Sequence, residues 1–264
     1  MSRGHRITPR VVAHRGASAE LAEHTLAAYV LALEQGADGL ECDIRMTRDG
    51  HLVCIHDRRI DRTSTGFGAV STYDLAALDA HDFAQWHENP GHDKLDSAEL
   101  AGATRPRTGV LTLAELLGLV VDWPRPVQLF IETKHPARNS RLIEAALVAL
   151  LAEHGLATPV SRETPPVVIM SFSPKALRRV RAEAPGLPTV ALLPTLGRVR
   201  SGELPPWADI AGPRFGALRA AVHGHPTYCW TVDEPAEVAL CAELGVTYLA
   251  TNRPGDAREL LSGS

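Results

Sequence analysis

The stretch GLECDIRMTRDGHLVCIHD, residues 39–57, reads as a strand, a turn and a returning run. Leu40, Cys42 and Ile44 alternate with Glu41 and Asp43. Side chains along a strand alternate between faces, so the two acids share the face opposite the apolar residues. Arg48-Asp49-Gly50 is turn chemistry. A turn near residues 48–49 brings His56 back beside Glu41 to within one residue of register. A slip of one residue would move it to the other face.

Outward from this stretch, short β-branched runs alternate with helical patterns. Strands are expected at 10–14, 39–46, 127–134, 166–173, 189–194, 207–212, 226–232 and 247–252. Helices are expected at 24–36, 111–122, 140–155, 173–186 and 234–245. In the first of these, Leu26, Tyr29, Val30 and Leu33 follow three- and four-residue steps. Thr112 and Glu115 stand at capping-box spacing, and Pro174 falls in a first turn. Strands separated by helices imply a parallel sheet with crossovers. At 264 residues the economical closed form is a (β/α)₈ TIM barrel, in one domain spanning 1–264. A doubly wound open sheet is the alternative, but its Gly-x-Gly-x-x-Gly fingerprint is missing. Residues 47–109 break the alternation and are expected to form a small insertion after the second strand, with His81, His87 and His92 on its surface. Residues 195–225 carry no clear long helix, so the sixth unit reads as abbreviated.

Composition narrows the function. A net charge of −4 argues against broad nucleic-acid binding. No apolar run reaches membrane-span length, and the basic N-terminus lacks a signal-peptide core, so a cytoplasmic protein without an integral membrane segment is expected. Cys42, Cys54, Cys229 and Cys241 form no C-x-x-C pair and read as buried reduced thiols. The oligomeric state leaves no signature.

The chemistry collects at strand ends. FIETKH repeats the anomaly of the opening stretch, with Glu132 and Lys134 sharing one face. VVAHRG sets His14 and Arg15 at the end of the first strand. In a barrel, the C-terminal ends of parallel strands meet at one rim. Two carboxylates held close need a cation or a shared proton. A hard divalent ion, Mg²⁺ or Ca²⁺ with Mn²⁺ also accepted, suits Glu41, Asp43 and Glu132. Arg15 and Lys134 complete a site for an anionic oxyanion such as phosphate, and His14 and His56 divide acid and base work near neutral pH. Singly, each residue has a plainer reading: Glu132–Lys134 an ion pair, Arg15 a salt-bridge partner, Trp230 core, and Arg178, Arg179 and Arg181 a solvated helix face. His223-Gly-His225 resembles a metal pair but lies in a stretch without strand character, and reads as a loop.

AHRGAS (13–18), EHTLAAY (23–29), the opening stretch, DRTSTGFGAV (61–70), LTLAELL (111–117), FIETKH (130–135), MSFSPKALRRVR (170–181), CWTVDEP (229–235) and GVTYLATNRPG (245–255) together resemble the glycerophosphodiester phosphodiesterases, most closely actinobacterial-type members. The resemblance spans nearly the whole chain. It implies a phospholipase-C-like phosphodiesterase barrel with one divalent metal on Glu41, Asp43 and Glu132, and His14 and His56 as the acid–base pair. It implies that the glycerol hydroxyl attacks phosphorus and that the cyclic phosphate then opens with water to glycerol 3-phosphate. Arg15 and Lys134 would hold phosphate oxygens, and Trp230 would wall the glycerol. Three motifs depart from the family pattern. Pro-Glu-Asn-Thr becomes Ala22-Glu23-His24-Thr25, Thr-Asp becomes Thr251-Asn252, and Trp-Thr-Val-Asn becomes Trp230-Thr231-Val232-Asp233. These bear on pocket shape and on the preferred alcohol. The competing readings are a phospholipase-D-like enzyme or phosphodiester lyase on the same barrel, and a non-catalytic phosphodiester-binding protein. A zinc hydrolase fits less well, because the first strand lacks His-x-His.

Overall fold

A computed structural model describes residues 8–87, 108–136, 142–161, 164–195, 203–220 and 225–263. Strand β1 (Arg10–His14) leads to helix α1 (Leu26–Glu34), and β2 (Gly39–Met46) to a short return strand, β3 (Leu52–Cys54). Helices α2 (Leu75–Asp79) and α3 (Leu113–Asp122) precede β4 (Gln128–Thr133). Then come α4 (Leu142–Glu153), β5 (Val167–Ser171), α5 (Pro174–Glu183), β6 (Thr189–Leu193) and β7 (Ile210–Pro213). The chain ends with β8 (Tyr228–Cys229), α6 (Pro235–Glu243), β9 (Tyr248–Thr251) and α7 (Pro254–Ser262). The strand order is β7-β6-β5-β4-β2-β1-β9-β8, with β3 antiparallel on β2. Parallel bridges Ala211↔Thr227 and Arg214↔Trp230 join the two ends, so eight parallel strands form a nearly closed barrel. This is the fold expected from the alternation.

Side-chain period two builds the layers. Leu40, Cys42 and Ile44 of β2 and Leu129 and Ile131 of β4 pack outward with the helix layer, in one cluster with Leu113, Leu117, Leu147 and Val180. Phe130, Val168, Met170, Val190, Tyr228 and Tyr248 fill the interior. The Phe130 ring meets Tyr228 at 5.1 Å and Tyr248 at 5.0 Å. Burying each such ring contributes about 2–3 kcal/mol. Glu41 pairs in register with Phe130, and Asp43 with Glu132. The acids therefore face inward, at and just above an aromatic floor. This answers why a core strand carries two acids on one face.

The caps expected from the sequence are present. Thr112 and Glu115 close a reciprocal capping box on α3. Ser173 accepts from Ala176 N over α5, with Pro174 in its first turn. All four cysteines are free and buried. Among the described residues, no helix is long and apolar enough to cross a membrane.

Some details differ from expectation. The hairpin pairs Ile44 with Cys54 and Met46 with Leu52, which, continued, would set His56 one residue from Glu41, within the expected margin. The ladder stops there, after Ile55 N donates to Asp43 O at 2.9 Å. His56 thus leaves the sheet before the pleat can assign it a face. The Arg45 guanidinium then holds the His56 carbonyl at 2.6 and 3.0 Å. Helices α2 and α7 were not expected from the sequence. No helix lies in described residues 203–209, and a 3₁₀ turn, Phe215–Ala220, links β7 to β8. The arginines of α5 are not a free solvated face. Arg178 stacks over Trp207 at 3.9 Å, Arg179 pairs with Glu144 at 3.0 Å and Arg181 with Asp209 at 2.7 Å. His81 is half-buried and edge-on to Tyr73 at 5.6 Å. His92 and His223 lie outside the described residues.

Candidate active site

The rim begins with a tight turn. Arg15 (φ 62) and Gly16 (φ 87) are both left-handed, directly after β1. A Cβ on Gly16 would lie 2.7 Å from the Ala28 backbone, so only glycine fits. The turn places Arg15 Nε 3.1 Å from Asp43 Oδ2 and Nη1 3.2 Å from Glu23. Its backbone N–H donates to the Glu41 carboxylate at 3.1 Å. A left-handed non-glycine residue costs on the order of 1 kcal/mol or more, a strain common where a side chain must be aimed.

Glu41 and Asp43 are each 1% exposed and Glu132 is 6% exposed. One oxygen from each lies within 4.8 Å of the others. Lys134 Nζ sits 2.9 Å from both Asp43 Oδ1 and Glu132 Oε2. Asp43 Oδ1 is buried, and the Lys134 ammonium is its close charged neighbour. Burial, then the Asp43 charge, pushes Glu132 up to about 8 and Glu41 well above the usual carboxylate range. Burial also acts to raise Asp43, but Lys134, His24 and Arg15 outweigh it and hold Asp43 well below the usual range. Three buried, mutually repelling carboxylates with an oxygen from each within 4.8 Å of the others fit a hard divalent cation.

His24, where the family pattern has an amide, is also left-handed (φ 60) and buried. Its ring lies 3.0 Å from Asp43 Oδ2 and 2.8 Å from the Tyr29 hydroxyl, which donates to Glu41 O at 3.0 Å. The imidazole therefore spans from an acid to the strand behind it.

The two expected histidines have different partners. His14 Nδ1 lies 2.8 Å from Asn252 Oδ1. His56 Nδ1 lies 2.7 Å from Asp57 Oδ1, and Asp57 Oδ2 accepts from Arg62 Nε at 2.6 Å. Arg62 also reaches Glu23 at 2.7 and 2.9 Å, so one arginine of the insertion ties both sides of the mouth together. Burial, then Arg15, lowers His14 to about 4. Burial also lowers His56, against the field of Asp43. The charges of Asp43 and Arg15 act on both rings. Trp230 is half-buried; its Nε1 donates to Gly212 O at 2.7 Å and its ring meets Phe172 at 5.5 Å.

The structure thus brings Glu41, Asp43, Glu132, Lys134 and Arg15 into one cluster. Sequence reasoning did not single out Arg45, Asp57 or Arg62 as positioning groups, although HD at 56–57 was a visible signal. It noted Asp233 and Asn252 separately; their side chains are hydrogen-bonded at 2.7 Å.

Residues 14–256 match the glycerophosphoryl diester phosphodiesterase family. This chain belongs to that family. A Mycobacterium tuberculosis relative, named "Probable glycerophosphodiester phosphodiesterase 1", is 47% identical over 262 residues, covering 96% of this chain and 92% of that one. A Bacillus subtilis glycerophosphodiester phosphodiesterase is 33% identical over 267 residues, covering 96% and 87%. The crystal structure of an Agrobacterium tumefaciens glycerophosphodiester phosphodiesterase superposes with a TM-score of 0.71 at 26% identity, covering 97% of this chain and 100% of that one. In this glycerophosphoryl diester phosphodiesterase family member, the departures at His24, Asp233 and Asn252 lie beside the cluster: His24 contacts Asp43, and Asp233 is hydrogen-bonded to Asn252.

Proposed function

We propose that this protein hydrolyses glycerophosphodiesters to glycerol 3-phosphate and an alcohol, with a bound divalent cation. The observation that carries this reading is the convergence of three buried carboxylates from β2 and β4 with Lys134 and Arg15. Glu41, Asp43 and Glu132 would hold Mg²⁺ or Ca²⁺, with Mn²⁺ suited to the same donors. When bound, the cation supplies positive charge that offsets the charge on the phosphate oxygens.

The chain's own groups do the rest. Arg15 and Lys134 hold phosphate oxygens against the acid cluster. Burial, then Arg15, keeps the His14 ring neutral, and Nδ1 facing the Asn252 amide oxygen leaves Nε2 as acceptor. It takes the proton of the glycerol hydroxyl as that oxygen attacks phosphorus. His56 faces the Asp57 carboxylate, which stabilises an imidazolium, and it gives its proton to the departing alkoxide. The roles reverse when water opens the cyclic phosphate. Trp230 and Phe172 offer an apolar edge to the glycerol.

The test is a panel of glycerophosphodiesters with choline, ethanolamine, inositol or glycerol head groups, assayed with and without chelator and coupled to glycerol 3-phosphate detection. Chelator-sensitive release of glycerol 3-phosphate is expected. Phosphorus NMR that finds only persistent cyclic phosphate would replace the hydrolase with a lyase, and binding without turnover would replace it with a non-catalytic binder.

A further inference from the structure

Asn252 lies in direct contact with His14, and an amide is an ambiguous partner for an imidazole. One end accepts and the other donates, and a half-turn of the amide exchanges them. If the oxygen faces Nδ1, the neutral ring carries its proton there and Nε2 is bare. If the NH₂ faces Nδ1, the proton moves to Nε2 and the ring loses its base. A carboxylate in the same place has no such ambiguity.

Asp233 removes the ambiguity. Its Oδ2 accepts from Asn252 Nδ2 at 2.7 Å. Its Oδ1 accepts from the Asn252 backbone N–H at 2.8 Å and from the Thr251 hydroxyl at 3.0 Å. An ionised carboxylate only accepts, so the amide nitrogen must turn toward it. Asn252 Oδ1 then faces the other way, toward His14 Nδ1 at 2.8 Å and the Ser18 hydroxyl at 2.8 Å. Ser18 is also 2.8 Å from the His14 carbonyl, which ties the amide to the end of β1.

We infer that Asp233 is a positioning residue, acting through Asn252 to hold His14 in the Nδ1–H tautomer with Nε2 free for general-base work. The two departures at 233 and 252 are then a single change: carboxylate and amide have exchanged places across the same hydrogen bond. Each member needs the other. With Asp233→Asn, two amides face one another and the orientation of Asn252 is no longer set. With Asn252→Asp, two carboxylates meet where an amide–carboxylate bond stood at 2.7 Å. With both changes, the bond is restored in the opposite sense.

This inference rests on the catalytic reading of His14, and the test separates the two. Histidine-selective ¹⁵N NMR of the full Mg²⁺-loaded chain reads the His14 tautomer directly, with no substrate. The expected result is Nδ1–H in the wild type, a mixed or Nε2–H ring in Asp233→Asn, and Nδ1–H again in the Asp233→Asn/Asn252→Asp double variant. In parallel, kcat should fall about 10- to 100-fold in each single variant with KM little changed, and should return in the double variant. An Nε2–H ring in the wild type overturns the inference. So does an Asp233→Asn variant with the wild-type tautomer, or a double variant whose losses simply add. If a single variant does not fold, the wild-type and double-variant spectra still decide. If the wild type cleaves no glycerophosphodiester, the proposed function fails, while the tautomer spectra continue to judge this inference.

Discussion

Burial, then Arg15, makes His14 hard to protonate. Its ring is expected to titrate near pH 4 instead of near the usual 6.5. Between those values the unfolded chain binds more protons than the native one. The stability this ring contributes is therefore complete above about 6.5 and is lost as pH falls through about 4. An NMR titration of the metal-free protein checks this, and a midpoint at the ordinary value would show that the ring is not held as described. At the same scale, His14→Ala and His56→Ala should each lower kcat by about 10²-fold or more. Near-wild-type turnover in either would remove that ring from the reaction.

The connections between elements aim these residues. The β1–α1 turn works because Gly16 lets the chain pass against Ala28 with φ 87. Gly16→Ala combines a left-handed side chain with a backbone clash at 2.7 Å. It should lower stability by about 1–3 kcal/mol in urea unfolding and reduce activity further than the loss of folded protein explains, because Arg15 is displaced. A second junction lies under the loop that follows β4. Glu144 of α4 is fully buried and binds His135 at 2.6 Å and Arg179 of α5 at 3.0 Å. Glu144→Gln leaves the Arg179 guanidinium without its buried carboxylate and weakens the bond to His135, and should cost about 2–3 kcal/mol, read from the denaturation midpoint. An unchanged midpoint would mean that the cluster contributes no net stability.

Across the whole molecule, barrel closure concentrates negative charge at the rim. A divalent cation that binds only the folded chain should stabilise it by about 2.7 kcal/mol at a hundredfold excess over Kd. Adding Mg²⁺ or Ca²⁺ to chelated protein should therefore raise Tm by several degrees and restore activity together. Glu41→Gln should weaken both effects, with excess metal recovering part of the activity. Equal metal affinity in that variant would exclude Glu41 as a ligand.

Much of this was visible before folding. The alternation of Leu40, Cys42 and Ile44 with Glu41 and Asp43 already stated that acids and core residues lie on opposite faces, because strand period is a local property. Eight such runs separated by helices specified a barrel for the same reason. What the sequence left open were the pairings between distant segments. His14 and Asn252 are 238 residues apart, and Asp233 and Asn252 lie in loops after neighbouring strands. The first pairing exists because β9 lies beside β1, and the second because β8 lies beside β9. The sequence by itself determined which acids, bases and cations stand at the strand ends and which way each strand turns its side chains. The tertiary structure alone decided which of them touch, because a hydrogen bond depends on ångström distances that ring closure sets and local periodicity does not.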